Sequence, residues 1–552
     1  MSEIPKSDDR AAPATFLASA AAVAICLFGN LGAIGLVGPD EPRYAWIARA
    51  MAETGDWVTP RLYGQPWFEK PILYYWAAAV GFRLHLSAEW AARIPSALAA
   101  LVAALAIGWL ATKHYGGGRT FSRSVTLLAP LIFSTSVAAI GFARSAGPDM
   151  LFTASLTLAM ASAACVFRCA GVLREVSASS QSDTLPLLLF GAFLGLGALA
   201  KGPAAIVLAG GAIALWVLGT MQWRVALRLA HPFAIAAFCV VALPWYVLCA
   251  ARNPDFIRVF IFQHNFQRYL TPLFQHRQPF WYFGPILLLA LLPWTVLLWP
   301  AAREGMRLFR MQSWKNSPGF FFACWAAFPV LFFSLSQSKL PGYILPAVPP
   351  LALLLAVMLA RETDAESPAR RRSFAAIGTA IGVTWIVLGI VAMEWASRLP
   401  QAARASGGRP IVITAILAIA GGIGVASLAL LRKRAFVTLS FALVVICVAA
   451  AGLRILPALD ASLSARWHGE LLRNDAHPER IFTYHLQRSW MYGIEFYLGR
   501  ELPEWTPSDP EPALVLTTPD GLRDMRRLGR VLGDLDQPYT GMMYVPVAPA
   551  PR

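Results

Sequence analysis

The sequence predicts a polytopic α-helical membrane protein of about thirteen spans, ending in a small C-terminal α/β domain. Three observations predict it. Of the 552 residues, 57% are hydrophobic and only 14% are charged, with a mean hydropathy of +0.54; a soluble domain carries about 45–50% and about 25%. The apolar residues gather in runs of roughly 16–24, the length that crosses a bilayer. After Leu453 the composition turns polar and turn-rich, as in Thr506-Pro507-Ser508-Asp509-Pro510. An ordinary soluble enzyme, a disordered chain and a nucleic-acid-binding module are thereby excluded. The net charge of +16 and pI of about 9.8 point to a membrane rather than to nucleic acid, because the Lys and Arg lie between the apolar runs.

The expected spans, in order, are Ala14–Val37, Ile94–Ala111, Val125–Ala143, Met150–Phe167, Leu185–Ala200, Ala204–Leu218, Phe233–Ala250, Phe283–Trp299, Phe320–Leu335, Tyr343–Ala360, Phe374–Ala396, Ile411–Leu431 and Val437–Leu453. The first is longer than the apolar stretch of a signal peptide, and no cleavage signal precedes the charged loop after it. Loops after even-numbered spans hold most of the Lys and Arg, among them Lys113, Arg119 and Arg123, then Arg303, Arg307, Arg310 and Lys315, then Arg370, Arg371 and Arg372. The positive-inside rule then places the N-terminus in the cytoplasm, and an odd number of spans places the C-terminus outside.

Two outer loops are long, 38–93 and 251–282, and both mix charge with aromatic residues, which suits helices lying at the membrane surface. Asp40-Glu41-Pro42 reads as a helix start and Gly55-Asp56 as its stop. The division expected is a membrane part, 1–453, and an α/β part, 454–552. In the latter, Arg480–Tyr484 and Ala513–Thr517 read as strands and Gly521–Leu528 as a helix. All seven cysteines lie in or at the ends of apolar runs, so no disulfide framework or zinc ribbon is readable.

Charges at the rim of an apolar bundle are costly unless used or solvated. Five groups stand at outer span ends: Asp40, Glu41 and Arg43; Glu69-Lys70-Pro71; Arg144 and Asp149; His264 and Arg268; Lys339 and Tyr343. Each has a plainer reading. Asp40 caps a helix; Arg43 and Arg268 anchor to lipid phosphates; His264 is a solvated interfacial histidine; Tyr343 belongs to an aromatic belt; Lys201 closes a tight turn. Their common side of the membrane favours a site. Lys70 and Arg268 suit an anion such as a phosphate, and a phosphate held there could belong to a lipid whose tail stays in the bilayer. Preplaced cations would stabilise charge building on a leaving phosphate oxygen. Asp40 could orient the acceptor, act as a base or hold a metal. No Walker A pattern or Gly-rich dinucleotide fingerprint is present.

At these residues a family becomes recognisable. Gly38-Pro39-Asp40-Glu41-Pro42-Arg43-Tyr44, Gly55-Asp56-Trp57 and Trp67-Phe68-Glu69-Lys70-Pro71 resemble the first outer loop of bacterial aminoarabinose (4-amino-4-deoxy-L-arabinose) lipid A transferases. These are glycosyltransferases of the GT-C class, related to protein O-mannosyltransferases. Further likenesses are Arg144 to Asp149, Ala200-Lys201-Gly202-Pro203, His264 to Arg268, and Ser338-Lys339-Leu340-Pro341 running into Tyr343-Ile344-Leu345-Pro346. They recur in family order from Gly38 to Pro350, and the C-terminal region is similar more loosely.

The resemblance implies a GT-C fold in the bacterial inner membrane, with an outer, periplasmic C-terminal domain. It implies a monomer that moves a sugar from undecaprenyl phosphate to a phosphate of lipid A, a lipopolysaccharide modification linked to polymyxin resistance. By matching motifs Asp40 is the catalytic acid, and Lys70, Arg268 and Tyr343 hold the carrier phosphate. Glu41, Arg43, Arg144, Asp149 and Lys339 support them. Glu69 and His264 are the positions to test as ligands of a divalent metal such as zinc. Two rivals remain at this point: a polyprenyl-phosphate-mannose protein O-mannosyltransferase, and a lipid or sugar transporter, which would call for pseudo-repeats that the chain does not display.

Overall fold

A computed structural model describes residues 11–115, 119–169, 183–267, 278–315, 317–363, 368–474, 480–508, 512–527, 531–533, 535–536 and 542–548. Helices dominate. α1 (Ala11–Phe28) leads into the first long loop, which holds α2 (Asp40–Thr54), a hairpin of β1 (Arg61–Leu62) and β2 (Gln65–Pro66), and α3 (Leu73–Arg83). Then come α4 (Ala88–His114), α5 (Arg119–Ser134), α6 (Val137–Ala143), α7 (Pro148–Cys169), α8 (Thr184–Lys201), α9 (Ala204–Thr220) and α10 (Pro232–Arg252). After the second long loop follow α11 (Phe283–Ala290), α12 (Leu298–Arg310), α13 (Pro318–Ser334), α14 (Val348–Thr363), α15 (Pro368–Arg398), α16 (Arg409–Leu430) and α17 (Ala435–Ala450).

Among the described residues, eight helices are long and apolar enough to cross a bilayer, and three shorter ones, Pro13–Phe28, Ala204–Thr220 and Pro318–Ser334, are apolar too. Two further stretches are bent pairs, Phe121–Ser134 with Val137–Ala143 at 62° and Phe280–Ala290 with Trp294–Arg310 at 109°. The first bend has a local cause. Ser136 Oγ bonds back to the Phe133 carbonyl at 2.7 Å, and the backbone N–H of Val137 turns to Leu292 O at 3.1 Å. The chain thus leaves the helical ladder with its polar groups satisfied.

Local chemistry sets other ends. Ser317 caps α13, its Oγ accepting from Gly319 N at 3.2 Å, with Pro318 in the first turn. α2 begins with two acids, favourable at a helix N-terminus, and stops at Gly55 with φ +73°. Both ends lie where the sequence reading put them. In the bundle, α15 and α16 approach through glycines: a methyl on Gly382 would meet Gly422 O at 2.6 Å. Small residues permit such close contact in the absence of a hydrophobic drive between helices.

The first expected span overshoots. It was to run to Val37, yet α1 ends at Phe28. The reason is polar. Arg144 takes the carbonyls of Ile25, Cys26 and Gly29 at 3.0, 3.1 and 2.7 Å. Arg93 takes those of Leu31, Ile34 and Gly35 at 2.7–2.8 Å. Side chains thus replace the backbone donors that a longer helix would have supplied.

The C-terminal region is a mixed sheet with helices. α18 (Leu456–Leu463) and α19 (Arg466–Arg473) precede β3 (Ile481–Tyr484), α20 (Arg488–Leu498), β4 (Ala513–Thr517), α21 (Pro519–Arg527), β5 (Leu535–Asp536) and β6 (Met543–Val547). The strand order is β3-β4-β6-β5, with β3 parallel to β4 and the other pairs antiparallel. Val515 pairs with Phe482 on one side and Val545 on the other, and Val515 and Val545 share a small separate core with Trp505 and Met525. The strands fall where they were expected, and the helix expected from Gly521 begins at Pro519. The expected division at 453 falls inside a continuous apolar helical stretch, Ala435–Leu463.

Candidate active site

The loop from 38 to 93 folds around α2, and α2 presents its first turn to two different environments. Glu41 points inward and is 5% exposed. Its carboxylate takes the guanidinium of Arg93 at 2.7 Å and accepts from the backbone N–H groups of Val37 at 2.9 Å and Ala146 at 2.7 Å. Asp40 points outward, with 58% of its side chain exposed, and pairs with Arg43.

From Asp40 a relay of charges runs to the second motif of the loop. Arg43 also reaches Glu69 at 3.2 Å, and Glu69 reaches Lys70 at 3.3 Å. The guanidinium donates through Nε to Pro39 O at 3.0 Å. Its faces lie against Trp67 at 5.7 Å and Tyr492 at 5.2 Å. Burial opposes the charge on Arg43, but Glu69 and Asp40 outweigh it, so its pKa is raised. Beneath the relay lies Tyr44, whose phenol stays neutral because burial, and then Glu69 and Asp40, raise its pKa well above the usual value.

A second cluster forms where α7, α8 and a 3-10 turn (Pro341–Ala347) converge. Lys201 ion-pairs with Asp149, and its ammonium sits 5.1 Å from the Tyr343 ring and 5.5 Å from that of Phe152. The two clusters are neighbours: a methyl placed on Gly147 would lie 3.9 Å from the Tyr44 ring. Asp40, Arg43, Glu69 and Lys70 are thus brought together, and Asp149 and Tyr343 stand beside Lys201. Arg268 lies outside the described residues.

Other expected members have structural positions. Arg144 closes the end of α1. Lys339 is buried and donates to Gln278 O at 3.0 Å and Ser336 O at 2.6 Å, and burial lowers its pKa. Glu41 is locked in its clamp. Two residues escaped the sequence reading. Arg93 was placed at a loop end; its signal was an arginine inside Ala91-Ala92-Arg93-Ile94-Pro95, at the start of an apolar helix. Lys201 was taken as a turn residue, although Ala200-Lys201-Gly202-Pro203 is one of the recognisable motifs.

Glu69 and His264 line one cavity of about 470 Å³, with Trp67, Arg252 and Arg258 on its walls. As a pair they fall short of a zinc ligand set. A catalytic zinc takes three protein ligands, whereas Glu69 already faces Arg43 and Lys70. Among the described residues no group of three or more His, Cys, Asp or Glu could hold a metal ion. A second cavity, about 690 Å³, lies beyond Trp67 and is walled by Tyr63, Tyr492 and Glu495.

Comparison with known proteins adds to this geometry. The family model described as dolichyl-phosphate-mannose-protein mannosyltransferase matches residues 13–260. The undecaprenyl phosphate-alpha-4-amino-4-deoxy-L-arabinose arabinosyl transferase of Yersinia enterocolitica is 32% identical over 406 residues, 72% of this chain and 68% of that protein. Its namesake in Edwardsiella ictaluri is 36% identical over 333 residues, 60% of this chain. That match, like one in Erwinia tasmaniensis, spans little more than half of the relative, 57% and 54%. The crystal structure of ArnT from Cupriavidus metallidurans, bound to undecaprenyl phosphate, superposes with a TM-score of 0.77 at 21% identity, covering 98% of both chains. The fold is therefore a polytopic GT-C membrane fold.

Proposed function

This chain belongs to the family of undecaprenyl phosphate-α-4-amino-4-deoxy-L-arabinose arabinosyl transferases, and from that membership we propose that it is an integral-membrane glycosyltransferase. It moves the aminosugar from undecaprenyl phosphate to a phosphate of lipid A at the periplasmic face of the bacterial inner membrane. The chain crosses the membrane thirteen times, with its N-terminus in the cytoplasm. The membrane part, 1–453, carries the site, the α/β part, 454–552, faces the periplasm, and the protein acts as a monomer.

One observation carries the reading: Asp40 is joined through Arg43 and Glu69 to Lys70 in one loop, and the Tyr343 cluster lies beside it. In the reaction an oxygen of the acceptor phosphate attacks the anomeric carbon. The bond from that carbon to the carrier phosphate oxygen breaks, its electron pair leaves with undecaprenyl phosphate, and one displacement inverts the anomeric centre. Lys70, Arg268 and Tyr343 hold the carrier phosphate and stabilise the charge that grows on it. An acceptor phosphate is ionised near neutral pH and needs no base, so Asp40 orients the sugar amine.

The match to the mannosyltransferase model favours a second reading, a hydroxyl acceptor on protein, for which Asp40 would have to take a proton. Mass spectrometry of lipid A from cells with and without the gene separates the two. We expect an added aminopentose only with the gene present, and its loss in Asp40→Asn and Lys70→Met proteins expressed at normal levels. Unmodified lipid A in cells that make the donor would reject the first reading, and full modification by both variants would reject the site.

A further inference from the structure

We propose that Tyr492, on the C-terminal helix α20, is a positioning residue for the transfer site, acting through Arg43. The Arg43 guanidinium holds three oxygens at once: Pro39 O at 3.0 Å, Glu69 at 3.2 Å and the Asp40 carboxylate. These bonds occupy its edges and leave its faces. Three rings lie against it, Tyr44 at 6.0 Å and Trp67 at 5.7 Å from the same loop, and Tyr492, the nearest at 5.2 Å, from a segment more than 400 residues later.

An arginine packed against rings in this way is held in orientation as well as in charge, because the ring quadrupole favours a cation over its face. Trp67 and Tyr492 both wall the cavity of about 690 Å³ between the first loop and the C-terminal part. Without the Tyr492 ring, water in that cavity would solvate the guanidinium and release it from Asp40 and Glu69. The rest of α20 makes this contact dependable. Tyr497 donates to Glu89 at 2.8 Å and accepts from Leu36 N at 2.8 Å. Arg49 of α2 lies 4.4 Å from the Phe496 ring and donates to Phe496 O at 3.1 Å. α20 is thus docked along α2, with Tyr492 one turn from these anchors. The contact is made by the Tyr492 ring and not by its phenol oxygen.

The inference rests on the proposed transferase reading for its kinetic arm. With the full-length protein in detergent and an undecaprenyl-phosphate-linked aminosugar as donor, Tyr492→Phe should turn over like the wild type. Tyr492→Leu should lose about 2- to 30-fold in kcat, with the KM for donor within about twofold, since Lys70 is untouched. In a double-mutant cycle, Arg43→Gln, which removes the cation, should already contain the loss, so adding Tyr492→Leu should cost little more. A Phe variant as slow as the Leu variant, or losses that add in the double variant, would overturn the inference. If the wild type transferred no sugar, the transferase reading would fall. The same cycle read on melting temperature would still judge the contact: additive shifts would overturn it, and coupled shifts would support it.

Discussion

Asp40 and Glu41 are adjacent, carry the same charge and open the same helix, yet they meet opposite surroundings. Glu41 is enclosed, and its two oxygens take Arg93 and two backbone N–H groups. Asp40 keeps more than half of its side chain in solvent and has one ionic partner, Arg43, which it shares with Glu69. A charge that is buried and satisfied on every side is fixed, and it fixes its neighbours. A charge that is half-solvated and sparsely bonded can rearrange around a ligand. The first region holds the loop in shape; the second is left available for chemistry. The helical turn between positions 40 and 41 decides which is which.

The largest expected effect comes from breaking the clamp. Arg93→Met would leave Glu41 buried without its cation and would free three carbonyls, so a loss of about 3–5 kcal/mol is expected. Size-exclusion chromatography in detergent should show little folded protein. Asp40→Ala removes a carboxylate that is 58% exposed and leaves Arg43 paired with Glu69, so it should shift stability by less than about 1 kcal/mol, while abolishing transfer. A well-folded Arg93→Met protein with normal activity would erase the distinction between the two regions.

The same contrast recurs in the C-terminal part and gives a second, smaller effect. Glu501 and Glu504 stand in solvent at the rim of the larger cavity. His468 is buried between Tyr544, whose hydroxyl lies 2.8 Å from Nδ1, and the ring of Trp490. Burial lowers its pKa from 6.5 to about 4. The unfolded chain therefore binds the proton more readily than the folded one. The stability contributed by His468 is complete above about pH 6.5 and falls as the pH drops towards 4. Melting temperatures recorded across that window should decline in the wild type and decline less in His468→Gln. An equal decline in both would overturn the assignment of this acid sensitivity to His468.

The division of labour was only half legible in the sequence. That apolar helices build the bundle was legible because apolar run length is a local property, and the strands and α21 were legible because alternation and turn residues are local too. The motif residues were legible as a set, and the structure gathers Asp40, Arg43, Glu69 and Lys70 in one loop. The fate of Glu41 was not legible, because it depends on where Arg93 and Ala146 come to rest, 52 and 105 residues away. Lys201 was passed over for the same reason: its partner Asp149 and the Tyr343 ring belong to other elements. The end of α1 was misjudged because arginines from α4 and the α6–α7 turn, not residues of α1, terminate it. Sequence reports which charges lie at the rim; packing decides which of them are spent on structure.

The smallest expected effect tests whether the two ends of α2 are independent. Gly55 closes the helix at φ +73°, its N–H bonded to Met51 O at 3.0 Å, and a methyl there would meet nothing within 4 Å. Gly55→Ala therefore carries a backbone cost alone, about 1 kcal/mol. The strain falls at the C-terminal end of α2, away from the first turn that bears both carboxylates. That turn is pinned separately, by Arg93 under Glu41 and by Pro39 and the rings around Arg43. A melting temperature lowered by about 1 °C with unchanged kcat is the expected result. A tenfold fall in kcat would mean that α2 moves as one lever, so that the buried clamp and the charge relay are set by the same distant glycine rather than by their own partners.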